Sequence, residues 1–164
     1  LVGPCLVLAT TEKNRNRFNQ NRLFYFLTRV DVSFFIYAAL MIGVHLSPIH
    51  MFIMEKPWSH YLMELPLYLT VPYLFYFNLI EPKLSNRRVA TGTACLVLWI
   101  MMVPETLTGF FIYVSKLSAY QNMYEINDQR LGGTIMWSGG MIIDTLWILL
   151  AVYHWYKSEE LKNE

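Results

Sequence analysis

The sequence predicts an all-α membrane protein, a bundle of about four transmembrane helices. Hydrophobic residues make up 55% of the 164-residue chain and charged residues only 15%, whereas a soluble domain carries about 25% charged residues. Four segments are apolar over more than the ~20 residues that a helix needs to cross the hydrocarbon core. Because a backbone in lipid must satisfy its own hydrogen bonds, each segment is expected to be helical. The net charge of +1 gives no support for a nucleic-acid partner.

The four predicted spans contain very few charged side chains. The first has no Asp, Glu, Lys or Arg, and the others have one acidic residue each: Glu64, Glu105 and Asp144. We predict that they form one transmembrane bundle over residues 32–156, followed by a tail at 157–164. The spans run from Val32 to Met54, from Pro57 to Ile80, from Val89 to Val114 and from Leu131 to Tyr156.

The residues before the first span divide into an apolar stretch and a basic one. Residues 1–10 are apolar but too short to span, so we expect the end of a preceding apolar helix. Residues 11–31 interleave basic and aromatic side chains, which predicts a basic amphipathic linker on the membrane surface. The positive-inside rule places this linker, the basic second loop and the tail on the cytoplasmic side. The third loop then lies outside.

Polar and sulfur-bearing side chains of the spans are predicted to lie in one layer near the outer membrane surface. His50 lies at that surface and Glu105 at most about 10 Å below it, whereas Asp144 is about 20 Å deep. Ionisable groups in hydrocarbon are costly, so each should be paired, line a cavity or bind a ligand. Counted at about 1.5 Å per residue, four more side chains lie within ~10 Å of the surface: His45, His60, Glu64 and Met136.

Imidazoles, carboxylates and a thioether in one layer are typical of a transition-metal site, and histidine with methionine favours copper. Because bound imidazoles must be neutral, binding should weaken as the pH falls through about 6.5. The same residue types also serve in helix packing, and spacing alone leaves that alternative open. Motifs for phosphate binding, serine hydrolysis or haem attachment are absent from the sequence. The predicted metal ligands are His45, His60, Glu64 and Met136, supported by His50, Glu105 and Asp128.

The stretch 128–137 joins the last polar loop to the last apolar segment. Its structural interpretation is a helix start capped by Asp128, with Gly132 and Gly133 allowing another helix to approach closely. Its pattern, Asp-Gln-x-Leu-Gly-Gly-x-x-Met-Trp, also resembles the Asp-Gln-x-Leu-Gly-Gly-x-x-Met motif of the CtaG family, bacterial membrane factors for cytochrome c oxidase assembly.

Other segments are similar to the same family. His-Leu-Ser-Pro at 45–48 looks like its His-x-x-Pro segment. Residues 60–64 look like its following His-x-x-x-His helix, with Glu64 in place of the second histidine. Residues 1–10 resemble the end of the family helix that carries an earlier histidine pair. The resemblance covers nearly all of the chain and implies the C-terminal part of a bundle of about six or seven helices.

The resemblance implies a non-enzymatic, multi-pass protein of a bacterial or archaeal cell membrane that assists a haem-copper oxidase. It would bind or deliver copper at the outer face by ligand exchange, with His45 and His60 handling the metal and Asp128 and Met136 near them. Expected partners are haem-copper oxidase subunits, the lipid bilayer and a soluble copper chaperone. The main alternative is a structural accessory subunit of a respiratory oxidase complex that has lost metal binding. A proton or small-ion pathway through the three acidic residues of the spans is disfavoured by the depth of Asp144.

Overall fold

All regular secondary structure in the computed structural model is helical over the residues that it describes, 2–80, 89–115 and 124–163. The all-α prediction is therefore confirmed for this part of the chain. The basic residues of the second loop, Lys83, Arg87 and Arg88, lie outside the described residues, and so does Lys116 of the third loop. The membrane orientation that depends on these loops stays a prediction.

Three short helices precede the first predicted span: α1 (Val2–Ala9), α2 (Glu12–Gln20) and α3 (Arg22–Leu27). The last two fall within the predicted basic linker, and one basic side chain of α2 points inward. The Arg15 guanidinium lies 5.1 Å from the centre of the Phe77 ring and donates to the carbonyl of Val7 at 3.4 Å. Burial lowers the pKa of Arg15. Arg15 thus ties α2 to both α1 and the end of α7, described below.

The first predicted span is not one helix. Instead, α4 (Val30–His45) ends and α5 (Pro48–Glu55) begins within it. The Ser47 hydroxyl oxygen accepts a hydrogen bond from the amide of Ile49 at 3.2 Å, which caps α5. Pro48 has no amide hydrogen and restricts the backbone of the residue before it, so a helix starts here more readily than it continues. The break was hidden by the uninterrupted apolar composition.

The second predicted span is a continuous helix with one wider turn. It consists of α6 (Pro57–Ser59), the π-helical turn π1 (His60–Glu64) and α7 (Leu65–Tyr76). Pro66 cannot donate to the carbonyl four residues before it, and its ring would clash with that carbonyl in a regular α-helix. The wider π turn directly upstream accommodates this proline.

The third and fourth predicted spans correspond to the two longest helices. The first is α8 (Thr91–Val114); the second joins α9 (Ile126–Thr134), the π-helical turn π2 (Ile135–Gly139) and α10 (Gly140–Asn163). Thr91–Val114 and Ile126–Tyr153 are the described helices long and apolar enough to cross a membrane, and α4 is apolar but shorter. Length and composition thus support two of the four predicted spans. The predicted tail continues α10 as helix to Asn163.

The buried core lies along α4, which packs against both α7 and α8. Helix α8 packs against α4 and also against α9, π2 and α10, while α7 packs against α1 and α4. Aromatic and aliphatic side chains of three helices fill the junction, because each helix places apolar residues on its inner face. They include Tyr37, Leu40, Val44, Val71, Phe75, Leu98 and Met101.

Candidate functional site

Two of the predicted histidines face each other across the break between α4 and α5. The ring centres of His45, at the end of α4, and His50, in the first turns of α5, are 6.0 Å apart. A continuous helix would point residues five apart in different directions, so the Ser47-Pro48 break is what brings the two rings together. His50 was predicted as a supporting residue, and the structure places it beside His45.

Glu64 and Tyr68 lie among the surroundings of this histidine pair. The hydroxyl of Tyr68 lies 2.7 Å from Nε2 of His45, within hydrogen-bonding distance. The charge of Glu64 acts on both His45 and His50. Glu64 ends π1 and Tyr68 follows one turn later in α7, so a single helix presents both groups to the pair. We call His45, His50, Glu64 and Tyr68 the histidine cluster.

The remaining predicted ligands lie on the two π turns. His60 begins π1, but its side chain lies outside the described part of the structure. Met136 is half-buried in π2, which packs against α8 and α10. π turns occur frequently at functional sites because they offset side chains from the regular helical positions. Within the described residues, three or more His, Cys, Asp or Glu side chains do not converge closely enough to hold a metal ion.

The motif at 128–137 forms the contact between α9 and α8. A Cβ atom on Gly133 would come within 2.8 Å of both the Gly109 carbonyl oxygen and the Tyr113 amide nitrogen. The close approach of another helix predicted for the glycine pair is thus confirmed at Gly133, where α8 contacts α9. One turn earlier, the buried Gln129 side chain donates to the carbonyl of Ile112 at 3.0 Å, satisfying an acceptor near the end of α8.

The predicted capping role of Asp128 is wrong. Helix α9 begins at Ile126, and Glu125 occupies the N-cap position without a side-chain capping hydrogen bond. Asp128 is exposed in the first turn, where a negative charge interacts favourably with the helix dipole. The prediction failed because polar residues 126–130 were assigned to the loop although they already form helix.

Glu105 lies in a second polar cluster, apart from the histidines. The Tyr37 hydroxyl donates to Oε1 of Glu105 at 2.7 Å, and Tyr37 precedes His45 by about 12 Å along α4. Asp144 is buried on α10 and interacts electrostatically with Glu105 and Tyr76. We call Tyr37, Tyr76, Glu105 and Asp144 the carboxyl cluster. The supporting metal role predicted for Glu105 stays a prediction.

Glu105 lies beside α10 one turn before Asp144, because a Cβ atom on Gly140 would lie 3.3 Å from Oε2 of Glu105. The depth predicted for Asp144 in the membrane stays a prediction. Every Cα–Cβ bond tilts toward the N-terminus of its own helix. Because α8 and α10 run in opposite directions, this tilt turns the two acidic side chains toward each other along the helix axes.

Sequence reasoning missed Tyr68, Gln129 and both tyrosines of the carboxyl cluster. For Tyr68 a signal existed, because it follows Glu64 by four residues and shares its helix face. For Gln129 the signal was its position four residues before Gly133, which places both residues on the same face of the helix. Tyr37 and Tyr76 had no such signal, since their partners lie on other helices.

A family model described as the cytochrome c oxidase caa3 assembly factor, Caa3_CtaG, matches residues 2–158 of the chain. Comparison with curated proteins and with solved structures found no match.

Proposed function

Because the chain belongs to the Caa3_CtaG family of cytochrome c oxidase caa3 assembly factors, we propose that it assists the assembly of a haem-copper oxidase as a binding protein without catalytic turnover. The CtaG resemblance expected from the sequence is confirmed over nearly the whole chain. Two candidate spanning helices together with this family indicate a membrane protein. Subunits of the oxidase are the proposed partners, and a bacterial or archaeal cell membrane is the proposed location.

The proposed cargo is copper, held at the histidine cluster. The observation that carries this proposal is the pair of imidazoles 6.0 Å apart, with the Glu64 carboxylate acting on both. Neutral imidazoles suit copper, and the carboxylate balances part of the charge of the ion. His60 and the thioether of Met136 are proposed as further donors that reach the ion during transfer.

Tyr68 is proposed as the positioning residue of this site. Its hydroxyl engages Nε2 of His45 at 2.7 Å, so a metal ion held by His45 would bind Nδ1. A hydrogen bond to the second ring nitrogen fixes the orientation of a metal-binding imidazole, and loss of such a partner typically costs about 10- to 100-fold in metal affinity. Copper would pass from a soluble chaperone to the oxidase by ligand exchange at the outer face.

The test is an anaerobic Cu(I) titration of the purified full-length protein against a competing chelator. His45→Ala and His50→Ala should each abolish tight binding, whereas Tyr68→Phe should weaken it by about 10-fold or more. The matched control is His154→Ala, which removes the one histidine that lies in α10. Stoichiometric copper retained by the protein with both His45 and His50 replaced would contradict the proposal.

A structural accessory subunit is the second candidate. It is favoured by the finding that three potential metal ligands do not converge within the described part of the chain. This function predicts stable co-purification with the oxidase complex and an unchanged amount of assembled oxidase after His45→Ala/His50→Ala. A loss of copper from the oxidase in cells that carry this double variant would instead support delivery.

A further inference from the structure

Helices α2 and α3 both pack on one buried aromatic ring at the end of α7. The Arg15 guanidinium lies 5.1 Å from the centre of the Phe77 ring, and the centre of the Phe24 ring lies 4.9 Å from it. The Phe77 side chain is buried. The side-chain amide of Asn78 donates to the carbonyl of Thr28 at 2.5 Å, which holds the end of α3 beside this ring. The inner faces of both helices are therefore fixed against the fold.

These inward contacts determine which side chains of α2 and α3 point outward. Residues two apart on an α-helix point about 160° apart, because about 3.6 residues complete a turn. Lys13 and Arg17 lie two residues on either side of the inward arginine of α2, and both are exposed. Arg22 and Phe26 flank the inward phenylalanine of α3 in the same way, and both are exposed. The outer faces of the two helices therefore carry cationic and aromatic side chains.

The positive charge of these outer faces is not neutralised by the part of the chain that the structure describes. Lys13, Arg17 and Arg22 form no salt bridge with a described side chain. Asp31, at the end of the same basic segment, is paired with Arg29 at 2.7 Å. A cationic face without nearby counter-charges attracts anionic ligands.

Large apolar side chains are exposed beside these charges. Leu23 is 66% exposed and Phe26 is 51% exposed, although Phe24 between them is packed inward. An acidic soluble protein would pair with the charges alone, whereas a phospholipid supplies both an anionic headgroup and apolar acyl chains. The position is consistent with a membrane surface, since Phe77 lies close to Ile80, where the second predicted span ends. Phospholipid is therefore the ligand class that fits both features.

We propose that the outer faces of α2 and α3 form a binding surface for anionic phospholipids. The cationic side chains of Lys13, Arg17 and Arg22 contact the phosphate headgroups. Leu23 and Phe26 contact the acyl chains. Helices α2 and α3 contain none of the predicted metal ligands, so this surface does not depend on copper.

Native mass spectrometry of the full-length protein in detergent tests the proposal. The protein is titrated with phosphatidylglycerol, which is anionic, and separately with phosphatidylcholine of the same acyl chains, which has no net charge. A basic side chain near anionic lipid strengthens binding by about fivefold, so phosphatidylglycerol should bind more tightly. Lys13→Gln/Arg17→Gln/Arg22→Gln should reduce this preference by about tenfold or more. An unchanged preference in this triple variant would overturn the proposal.

Two other variants separate this surface from net charge and from misfolding. The matched control Lys56→Gln/Arg130→Gln/Lys157→Gln removes the same charge from exposed residues elsewhere and should keep the preference. An equal loss in both triple variants would overturn the proposal, because net charge alone would then select the lipid. Leu23→Gln/Phe26→Gln should weaken the binding of both lipids and leave their ratio unchanged. Displacement of phosphatidylglycerol by inorganic phosphate would show a phosphate site and not a lipid surface.

Discussion

The C-terminal pair, α8 with the continuous helix α9–π2–α10, packs differently from the N-terminal group, α1–α7. In the C-terminal pair, backbone meets backbone at Gly109 and Gly133, where an added Cβ would lie 2.8 Å from atoms of the other helix. In the N-terminal group, α1 also comes close to α7 at Gly3, where an added Cβ would lie 2.6 Å from Cβ of Pro72. Elsewhere in this group, aromatic rings fill the space between helices. Phe24 and Phe77 pack edge to face with ring centres 4.9 Å apart, and Tyr37 and Phe75 are 5.1 Å apart.

The two kinds of contact are two ways to hold helices together in an apolar environment such as lipid, where the hydrophobic effect does not drive helices together. Small residues bring backbones close enough for dispersion contacts along the helices, but they leave no room for another atom. Aromatic rings bridge a wider gap and adjust by small rotations, so they tolerate a change of shape better. Larger mutational effects are therefore expected at the glycine contacts of the C-terminal pair than at the aromatic contacts of the N-terminal group.

Of the variants Gly133→Ala, Phe75→Leu and Asp31→Asn, the first should lower the stability most. The new methyl group would meet the Gly109 carbonyl and the Tyr113 backbone at 2.8 Å, so α9 must move away from α8. We expect a loss of about 3 kcal/mol in the free energy of unfolding, at the upper end for overpacking. Thermal denaturation of the purified protein in detergent measures it.

The adjacent residue supplies the matched control. Gly132 has no atom within 4 Å of its Cβ position, so Gly132→Ala adds the same methyl group on the open face of α9. Because alanine favours a helix over glycine by about 1 kcal/mol, this variant should be as stable as the original protein or slightly more stable. Equal losses in the two variants would show that backbone contact does not hold the C-terminal pair together.

Phe75→Leu should have a smaller effect in the N-terminal group. Phe75 is 1% exposed and contacts the rings of Tyr37 and Tyr76, so leucine keeps an apolar side chain while losing both ring contacts. We expect a loss of about 1 to 2 kcal/mol, as neighbouring side chains fill part of the space. The same thermal denaturation compares it with Gly133→Ala, and a larger loss for Phe75→Leu would reverse the comparison.

The C-terminal pair was more predictable from sequence than the N-terminal group, because its packing depends on small residues rather than on matching aromatic side chains. Long apolar stretches and a glycine pair are local signals, and the helix contact at Gly133 needs no knowledge of side-chain partners. The break at Ser47-Pro48 also had a local signal, a capping serine before proline, but apolar composition outweighed it. Composition reports whether a segment is buried or in lipid, and it does not report whether the helix continues.

The polar clusters could be predicted only in part. His45 and Glu64 were found because ionisable residues in apolar segments require a partner or a ligand. Their contacts with His50 and Tyr68 depend on the helix break and on the rotation of α7, which neither spacing nor depth specifies. The approach of Glu105 to α10 near Asp144 was missed because a depth count follows the backbone, whereas long side chains lean along the helix axis.

The smallest effect on stability is expected at the exposed start of α4, where the side chains form a surface salt bridge and are not packed in the core. Arg29 and Asp31 form a salt bridge at 2.7 Å on the surface. The Arg29 hydrogen bonds and, to a lesser extent, the backbone amide of Val32 hold the pKa of Asp31 below its usual value. Because the folded-state pKa is lowered, the stabilisation is present above the unfolded pKa of about 3.9 and is lost as the pH falls through the folded value.

Asp31→Asn removes this titrating group while keeping the size of the side chain. Thermal denaturation at pH 7 should show a decrease near the limit of detection, because exposed ion pairs contribute little and are screened by salt. The difference between the variant and the original protein should shrink as the pH falls below about 3.9 and through the lowered folded pKa, because Asp31 is then protonated in both the folded and the unfolded state. A decrease as large as that of Phe75→Leu would mean that this local salt bridge stabilises the protein as much as the aromatic packing of the N-terminal group does.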